Sequence, residues 1–258
     1  MIFHYLKIAF RNLCKYKTQN VISIIGLAVG LLCFCVCMYC SRFVENTDHC
    51  FANHDRIAEL NLYDGKADRY FSGSPIPLAE ELRTWALGET EAISSVTYPR
   101  ERPYYVELSP EKTLPYELET IEIDTCYNKI FTPEMVAGHW KMASQSLNSV
   151  ILSQSMAIKI FGNAESAIGK HMTLMRRLNT SPESTPKTGG IVYTIQAVMK
   201  DIPLNNSLDF MQNIDMLTVN DSEGLLQSPK RHNMTGANTY VLLSPQTTCC
   251  LLYTSPSP

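Results

Sequence analysis

The sequence lacks the short motifs that mark common catalytic and nucleotide-binding sites. It contains no G-x-x-x-x-G-K-[ST] phosphate loop, no H-E-x-x-H pair, no paired C-x-x-C and no G-x-S-x-G turn. The nearest group of metal-ligand residue types is Asp48-His49-Cys50 with His54-Asp55, and the spacing of its two histidines does not suit one helical face. We therefore expect no catalytic residue, no cofactor and no metal ion, and we expect the chain not to be an enzyme.

Cysteine is scarce outside one apolar run. Only Cys50 and Cys126 fall in the body of the chain, which excludes a fold held together by disulfides. A bridge between these two would need an oxidising compartment and restrictive geometry, and the sequence leaves open whether they pair. The four cysteines of the apolar run act there as small hydrophobic residues: Cys33, Cys35, Cys37 and Cys40.

Acidic residues are absent from the first 44 positions, which carry five basic residues. The other 17 basic residues face all 25 acidic residues, so the rest of the chain has a balance of −8. This split predicts a basic, membrane-facing end and an acidic body. It excludes nucleic acid as a partner, because a nucleic-acid-binding body would be basic.

An uncharged apolar run, Val21 to Ser41, predicts a transmembrane helix. As an α-helix it would be about 31 Å long, which matches a hydrocarbon core of about 30 Å. The run is longer than the apolar core of a signal peptide, roughly 7–15 residues, and no A-x-A cleavage pattern follows it. We therefore expect the helix to remain as a membrane anchor.

The flanks of this run predict its orientation. Four basic residues precede it, whereas only Arg42 follows before the first acids, so the N-terminus should be cytoplasmic and the main domain outside. Residues 2–17 fit either an amphipathic helix on the inner membrane surface or a basic flank that only sets topology. The candidate membrane-surface residues are Lys7, Arg11, Lys15 and Lys17.

Two glycines in the predicted span, Gly26 and Gly30, form a small-xxx-small pair on one helical face. Such a pair lets a second helix backbone approach closely, although glycine is also common in membrane helices without that role. We treat the pair as a candidate helix-packing site.

The body predicts an α+β fold with a mixed or antiparallel sheet, because strands and helices alternate without regular βαβ spacing. Ser74-Pro75 predicts a helix start, with Leu78, Leu82 and Trp85 on the buried face. Ser153 predicts the cap of a second helix that ends at Gly162. The predicted strands are 56–63, 93–106, 118–124, 149–152, 170–176, 191–199 and 239–243.

Several segments, in order, resemble the N-terminal part of an ABC transporter permease of the MacB/FtsX type. The resemblance covers residues 1 to about 243. No single motif is specific, and it is their order that carries the resemblance. The segments are Lys7-Ile8-Ala9-Phe10-Arg11-Asn12-Leu13, Ile22 to Gly30, Asp55-Arg56-Ile57, Asn148 to Ser153 with Phe161-Gly162, Ile168-Gly169-Lys170, and Tyr193-Thr194-Ile195 with Lys200-Asp201, Pro203 and Asn206-Ser207.

The resemblance implies a membrane helix followed by a MacB-like periplasmic core domain in the bacterial inner membrane. It implies that a cytoplasmic ABC ATPase subunit drives a dimer of permease copies in export or efflux. The periplasmic domain would bind and transmit force, with membrane lipid and a periplasmic or outer-membrane protein as further contacts. The transported substrate is not implied.

The expected organisation has four parts: 1–20 as a cytoplasmic amphipathic segment, 21–41 as the transmembrane helix, 42–244 as an incomplete periplasmic core domain, and 245–258 as a non-native tail. The tail does not resemble the family and is typical of translated adapter sequence, and family members have several membrane helices. We therefore expect a truncated permease subunit. The alternative is a single-pass, membrane-anchored sensor or ligand-binding domain.

Overall fold

The computed structural model describes residues 4–5, 11, 15–66, 68–71, 73–85, 90–109, 112–174, 190–208, 213–221, 224–226 and 235–247. The chain divides into two compact units, Met1–Thr47 and Asp48–Pro258. The proposed tail lies mostly outside the described residues, as does most of segment 2–17.

Among its described residues, the first unit contains one long helix, α1, Lys17–Glu45. None of its residues is buried, and its apolar side chains are widely exposed. A helix in the core of a soluble protein would be buried, so this apolar surface needs another environment. Among the described residues, α1 is the one helix whose length and composition suffice to cross a membrane.

The second unit is a sheet-rich domain with several short helices, which confirms the predicted α+β class. Its helices are α2 (Leu78–Thr84), α3 (Tyr127–Phe131), α4 (Trp140–Gln145) and α5 (Gln154–Phe161). Its strands are β1 (Ile57–Leu60), β2 (Leu62–Asp64), β3 (Arg69–Phe71), β4 (Ser74–Pro75), β5 (Thr90–Thr97), β6 (Arg100–Ser109), β7 (Lys112–Ile123), β8 (Met135–Gly138), β9 (Ser149–Ser153), β10 (His171–Leu174), β11 (Ile191–Met199), β12 (Met216–Val219) and β13 (Thr235–Leu243).

The main sheet is mixed, and part of it closes on itself. Its strands follow the order β1-β13-β5-β7-β12-β9-β11-β10-β6, and β6 also pairs with β7. The six strands β7, β12, β9, β11, β10 and β6 therefore form a ring. Two pairs in it are parallel, β9 with β11 and β12 with β7, while the long β6–β7 hairpin is antiparallel.

Strand β9 lies between the two main cores. All five of its residues are buried, and its three central residues form a continuous apolar run rather than an alternating pattern. Val150 and Leu152 pack into a cluster to which all six ring strands contribute. Ile151 points the other way, into a second cluster with α3 and strands β5 and β13.

Local capping explains one predicted helix, whereas strand pairing moves the predicted start of another. The Ser153 hydroxyl accepts a hydrogen bond from the Met156 N–H, and Gly162 ends α5 with φ +87°, as predicted. The predicted start at Ser74-Pro75 is wrong: these residues pair with β13, and α2 begins at Leu78. Trp85 is exposed rather than buried, because it stands at the end of the short α2.

The sequence pattern also joined two strands and missed others. The predicted strand 93–106 is two strands, β5 and β6, separated by Tyr98-Pro99. Proline lacks the N–H that a continuing ladder needs, which accounts for the break. Strand β12 and the short β8 lay outside the predicted set.

We predict that Leu152→Ala lowers the free energy of unfolding of the domain by about 2–5 kcal/mol, because it leaves a cavity inside the ring. Leu152 is 0% exposed. The matched control is Leu147→Ala, at a leucine that is 70% exposed, which should change stability by less than about 0.5 kcal/mol. Urea unfolding of the full chain in nonionic detergent, followed by near-UV circular dichroism, measures both. Equal losses would contradict the ring core.

Candidate functional site

A polar cleft opens beside α2, with a volume of about 270 Å³. We call it the polar cleft throughout. Acids, hydroxyls and one arginine dominate its lining, and a few apolar side chains complete one wall. The lining residues are Ile76, Ala79, Glu80, Arg83, Ser95, Glu122, Ile123, Asp124, Thr125, Thr218, Asn220, Asp221, Gly224 and Leu226.

The strand register builds the floor of the cleft. Glu122 of β7 is paired with Thr218 of β12, so their side chains share one face. On the other side, β5 pairs with β7 at Val96 and Ile123, which brings Ser95 alongside the end of β7. Strands β7 and β12 are parallel, so both end at this edge, and the residues that follow them enter the cleft together.

Asp124 follows β7 and collects four hydrogen bonds. Its Oδ1 accepts from the Ser94 hydroxyl at 2.7 Å and from the Cys126 N–H at 3.0 Å. Its Oδ2 accepts from the Ser95 N–H at 2.9 Å and from Arg83, with which it forms an ion pair. Arg83 also donates from Nε to the Ile93 carbonyl at 2.9 Å, which fastens α2 to β5.

Glu122 is a buried carboxylate with a complete set of partners. It is 3% exposed, and its Oε1 accepts from Arg102 Nη2 at 2.9 Å. Its Oε2 accepts from the Leu225 N–H. Gly224 makes this approach possible, because a Cβ there would lie 2.8 Å from Glu122 Oε2 and 2.9 Å from Asp221 Cβ.

A second buried carboxylate, Asp221, follows β12. It is 5% exposed, and its Oδ2 accepts from the Tyr193 hydroxyl at 2.8 Å. Burial and the neighbouring Asp221 charge raise the pKa of Tyr193, so this phenol stays protonated. Burial likewise raises the pKa of Tyr104 to about 12. Tyr193 therefore acts as a neutral donor to Asp221.

Arg102 sits among these groups as a permanent charge. Burial alone lowers the pKa of its guanidinium, but the Glu122 carboxylate outweighs this and the pKa is raised. The Ser95 hydroxyl differs from its neighbours. Ser95 is 4% exposed, and its Oγ has no hydrogen-bond partner among the described residues.

The residues singled out from the sequence lie elsewhere. Lys7 is outside the described residues, while Arg11, Lys15 and Lys17 are exposed. Within the described part of the first unit, a Cβ built on Gly26 or Gly30 would meet nothing within 4 Å, so the face is open. The membrane-surface and helix-packing roles stay predictions.

The histidine and cysteine candidates form no site in the described residues. The His49 and His54 rings lie 4.3 Å apart, but no group of three metal-ligand side chains occurs in the part of the chain that the structure describes. Cys50 and Cys126 are both free thiols. Burial and the nearby Asp48 charge raise the pKa of Cys50 to about 11.

Sequence patterns missed the cleft. Glu122 stands between Ile121 and Ile123, and this alternation is typical of a sheet with one polar face rather than of a buried ion pair. Glu80 lies in the first turn of α2, where an acid complements the helix dipole, so its sequence position alone does not indicate a site. The detectable signal was the acid that follows each of two apolar strands, Asp124 and Asp221, but β12 itself was not predicted.

We predict that Arg102→Ala destabilises the domain by about 3 kcal/mol, because it leaves the buried Glu122 carboxylate without its guanidinium partner. The matched control is Lys200→Ala, which breaks an exposed ion pair with Glu134 at 3.0 Å and should cost no more than about 1 kcal/mol. Urea unfolding measures both. Equal losses would show that the Glu122–Arg102 pair behaves as a surface pair.

Comparisons with known proteins identify the fold. No protein-family model and no curated protein matches the sequence. A solved domain of a protein described as a permease, from Porphyromonas gingivalis, matches with a TM-score of 0.59 and 22% identity, covering 78% of this chain and 81% of that one. The periplasmic region of MacB from Actinobacillus actinomycetemcomitans matches with a TM-score of 0.51 and 14% identity, covering 83% of this chain and 85% of that one.

The extracellular domain of the ABC-type transporter YknZ from Gram-positive bacteria also matches, covering 77% of this chain and 87% of that one, but its TM-score of 0.45 at 12% identity adds nothing to the assignment. The two stronger matches agree with the mixed sheet and its helices. The chain therefore carries a domain with the fold of the MacB periplasmic region, which follows an N-terminal apolar helix in the sequence.

Proposed function

We propose that this chain is part of an ABC transporter permease and that its sheet domain is the extracytoplasmic module that binds partners and transmits force. The observation that carries the proposal is the combination of an exposed apolar helix with a following domain of the MacB periplasmic fold. Neither feature is specific alone, but the two occur in this order in the family that the sequence resembles.

The membrane arrangement follows from the charges around α1. Lys15 and Lys17 stand at its N-terminal end, and Arg42 near its other end lies 3.9 Å from Glu45. We propose that the N-terminus is cytoplasmic and the sheet domain periplasmic, in the bacterial inner membrane. The open face at Gly26 and Gly30 would then pack against other permease helices, in the same subunit or in a second copy.

The first residues of the sheet domain make contacts through which a displacement of these residues would move the rest of the domain. Asp48 donates its N–H to the Asn205 carbonyl at 3.0 Å and accepts from the Ser207 N–H at 2.7 Å. Phe51 packs edge-on against Phe131, with ring centroids 4.9 Å apart. These contacts connect residues 48–51 to both the segment after β11 and helix α3. A displacement of residues 48–51 would therefore be transmitted to the sheet.

The same segment continues into the sheet edge. Arg56 donates to the Leu243 carbonyl at 2.9 Å and lies 3.1 Å from the Glu91 carboxylate. Strand β1 then pairs with β13 along its whole length. Together these contacts support a mechanical role: ATP-driven movement of membrane helices, powered by a cytoplasmic ATPase subunit, would move this domain as a body during export or efflux.

The alternative is a single-pass sensor or ligand-binding domain. The polar cleft favours it, because a concave volume lined by both polar and apolar side chains suits a binding site. Both proposals give the domain a binding role rather than a catalytic one, and they differ in whether an ATPase works with it.

We predict that a reporter fused after Pro258 of the full chain is delivered outside the cytoplasm. Alkaline phosphatase should be active there, because its disulfides form only in an oxidising compartment, and a green fluorescent protein exported by the same route should be dark. The control is the same pair of fusions to a chain in which Lys7, Arg11, Lys15 and Lys17 are glutamates, which should lose this bias. A fluorescent, phosphatase-negative parent chain would contradict the orientation.

A further inference from the structure

We propose that Asp48 and Glu59 form a pH-sensitive latch, in which protonation of Glu59 strengthens the attachment of residues 48–51 to the rest of the sheet domain. The inference goes beyond the proposed transport role. It concerns the first residues of the domain alone and holds for a permease domain and for a single-pass sensor alike.

The latch begins with the way in which Asp48 is held. Its backbone has a φ of +64°, in the left-handed region that aspartate tolerates better than most residues. Its Oδ1 accepts from the Ser207 N–H at 2.7 Å, and its own N–H donates to the Asn205 carbonyl at 3.0 Å. The Asp48 carbonyl in turn accepts from the Phe51 N–H at 2.9 Å. Asp48 therefore joins residues 48–51 to the segment after β11, and the environment of its charge affects that attachment.

Glu59 of β1 brings a second carboxylate to the same place. It is paired in register with Tyr240 of β13, so the two side chains are neighbours across the strands. Tyr240 is buried and Glu59 is half-buried. The Tyr240 hydroxyl also interacts with the side chain of Ser207, whose N–H binds Asp48. Tyr240 therefore has Glu59 on one side and the Ser207–Asp48 contact on the other.

The two carboxylates are not neutralised by a basic side chain. Neither of them forms an ion pair within the part of the chain that the structure describes. Arg56 is the basic residue nearest to Glu59 in the sequence, but its guanidinium lies 3.1 Å from the Glu91 carboxylate and donates to the Leu243 carbonyl at 2.9 Å. Asp48 and Glu59 therefore face each other as like charges.

The titratable groups that face Glu59 are all acids or phenols. Asp48 faces it from the start of the domain, Tyr240 from β13, and Tyr98 from the residue after β5. Burial and the nearby Asp48 charge raise the pKa of Glu59. The strand register and the hydrogen bonds of Asp48 place the two acids together, and the direction of this shift agrees with that placement.

Protonation of Glu59 removes the repulsion. When residues 48–51 detach, the Asp48 charge moves away and Glu59 gains water, so its pKa falls back toward the ordinary glutamate value of about 4.3. A group that holds its proton more tightly in the attached state stabilises that state as the pH falls. The attachment therefore strengthens as the pH falls through the raised pKa of Glu59, and the gain is complete below the ordinary value.

Hydrogen exchange of the full chain in nonionic detergent, read by mass spectrometry, tests the proposal. The variant Glu59→Gln removes the charge and is compared with the parent chain at the same pH, so that the intrinsic pH dependence of exchange cancels. At about pH 7 we expect the amides of residues 48–51 and 205–207 to exchange about threefold more slowly in the variant. At about pH 5 this difference should shrink, because the parent chain is then protonated at Glu59.

Two further variants assign the effect to the pair. Asp48→Asn removes the other charge, keeps an acceptor for the Ser207 N–H and tolerates the left-handed backbone. In that background Glu59→Gln should change exchange less than it does in the parent chain. The matched control is Glu107→Gln, at an exposed strand glutamate that is paired with Thr113, and it should change nothing at either pH.

Three results would overturn the proposal: no slowing of exchange by Glu59→Gln at about pH 7, the same slowing at about pH 5, or an equal effect of Glu107→Gln. Near-UV circular dichroism checks that each variant is folded. If Glu59→Gln does not fold, Asp48→Asn decides the question, since its difference from the parent chain must then change with pH. The reporter fusions do not depend on Glu59, so a failure here leaves the membrane arrangement standing.

Discussion

The complete burial of strand β9 is the constraint on which the rest of the domain depends. Its five residues have no face toward water, so every neighbour must supply apolar contact or a hydrogen bond. Strands β12 and β11 supply the ladders on its two edges, and Val150 and Ile151 divide its side chains between two cores. The ring of six strands closes around one of these cores, to which α5 contributes Met156, Ala157 and Ile160.

The polar cleft is a consequence of the same arrangement. Because β7 and β12 run parallel, the acids that follow them come to one edge, and the even-numbered face of β7 carries Glu122 toward it. Arg102 neutralises Glu122 within the ring, and Tyr193 donates to Asp221 from β11. The inside of the ring therefore changes from apolar to charged along its length. Such a gradient is hard to explain by stability alone, since an apolar filling would avoid the desolvation of these charges.

Sequence patterns predicted the anchor and the class of the domain because both depend on local composition. Two of these signals act through near neighbours in the chain. One is an uncharged run of sufficient length, and the other is a serine followed by an apolar helical repeat that ends in glycine. Ser74-Pro75 misled for the converse reason: its local signal suits a helix start, but pairing with β13, distant in sequence, takes these residues into the sheet. The cleft could not be predicted, because Arg102 and Glu122 meet only through the register of the β6–β7 hairpin and its neighbours.

The proposed mechanical role rests on an apolar helix, a domain with the MacB periplasmic fold and the hydrogen-bonded segment at the start of that domain. This role requires further membrane helices and an ATPase. Sequencing the genomic DNA across codon 245 and into the adjacent genes tests this requirement most directly. We expect the reading frame to continue into further apolar spans, beside a gene with a G-x-x-x-x-G-K-[ST] phosphate loop. A stop codon directly after Pro258, with no ATPase gene nearby, would contradict it and leave a single-pass binding domain.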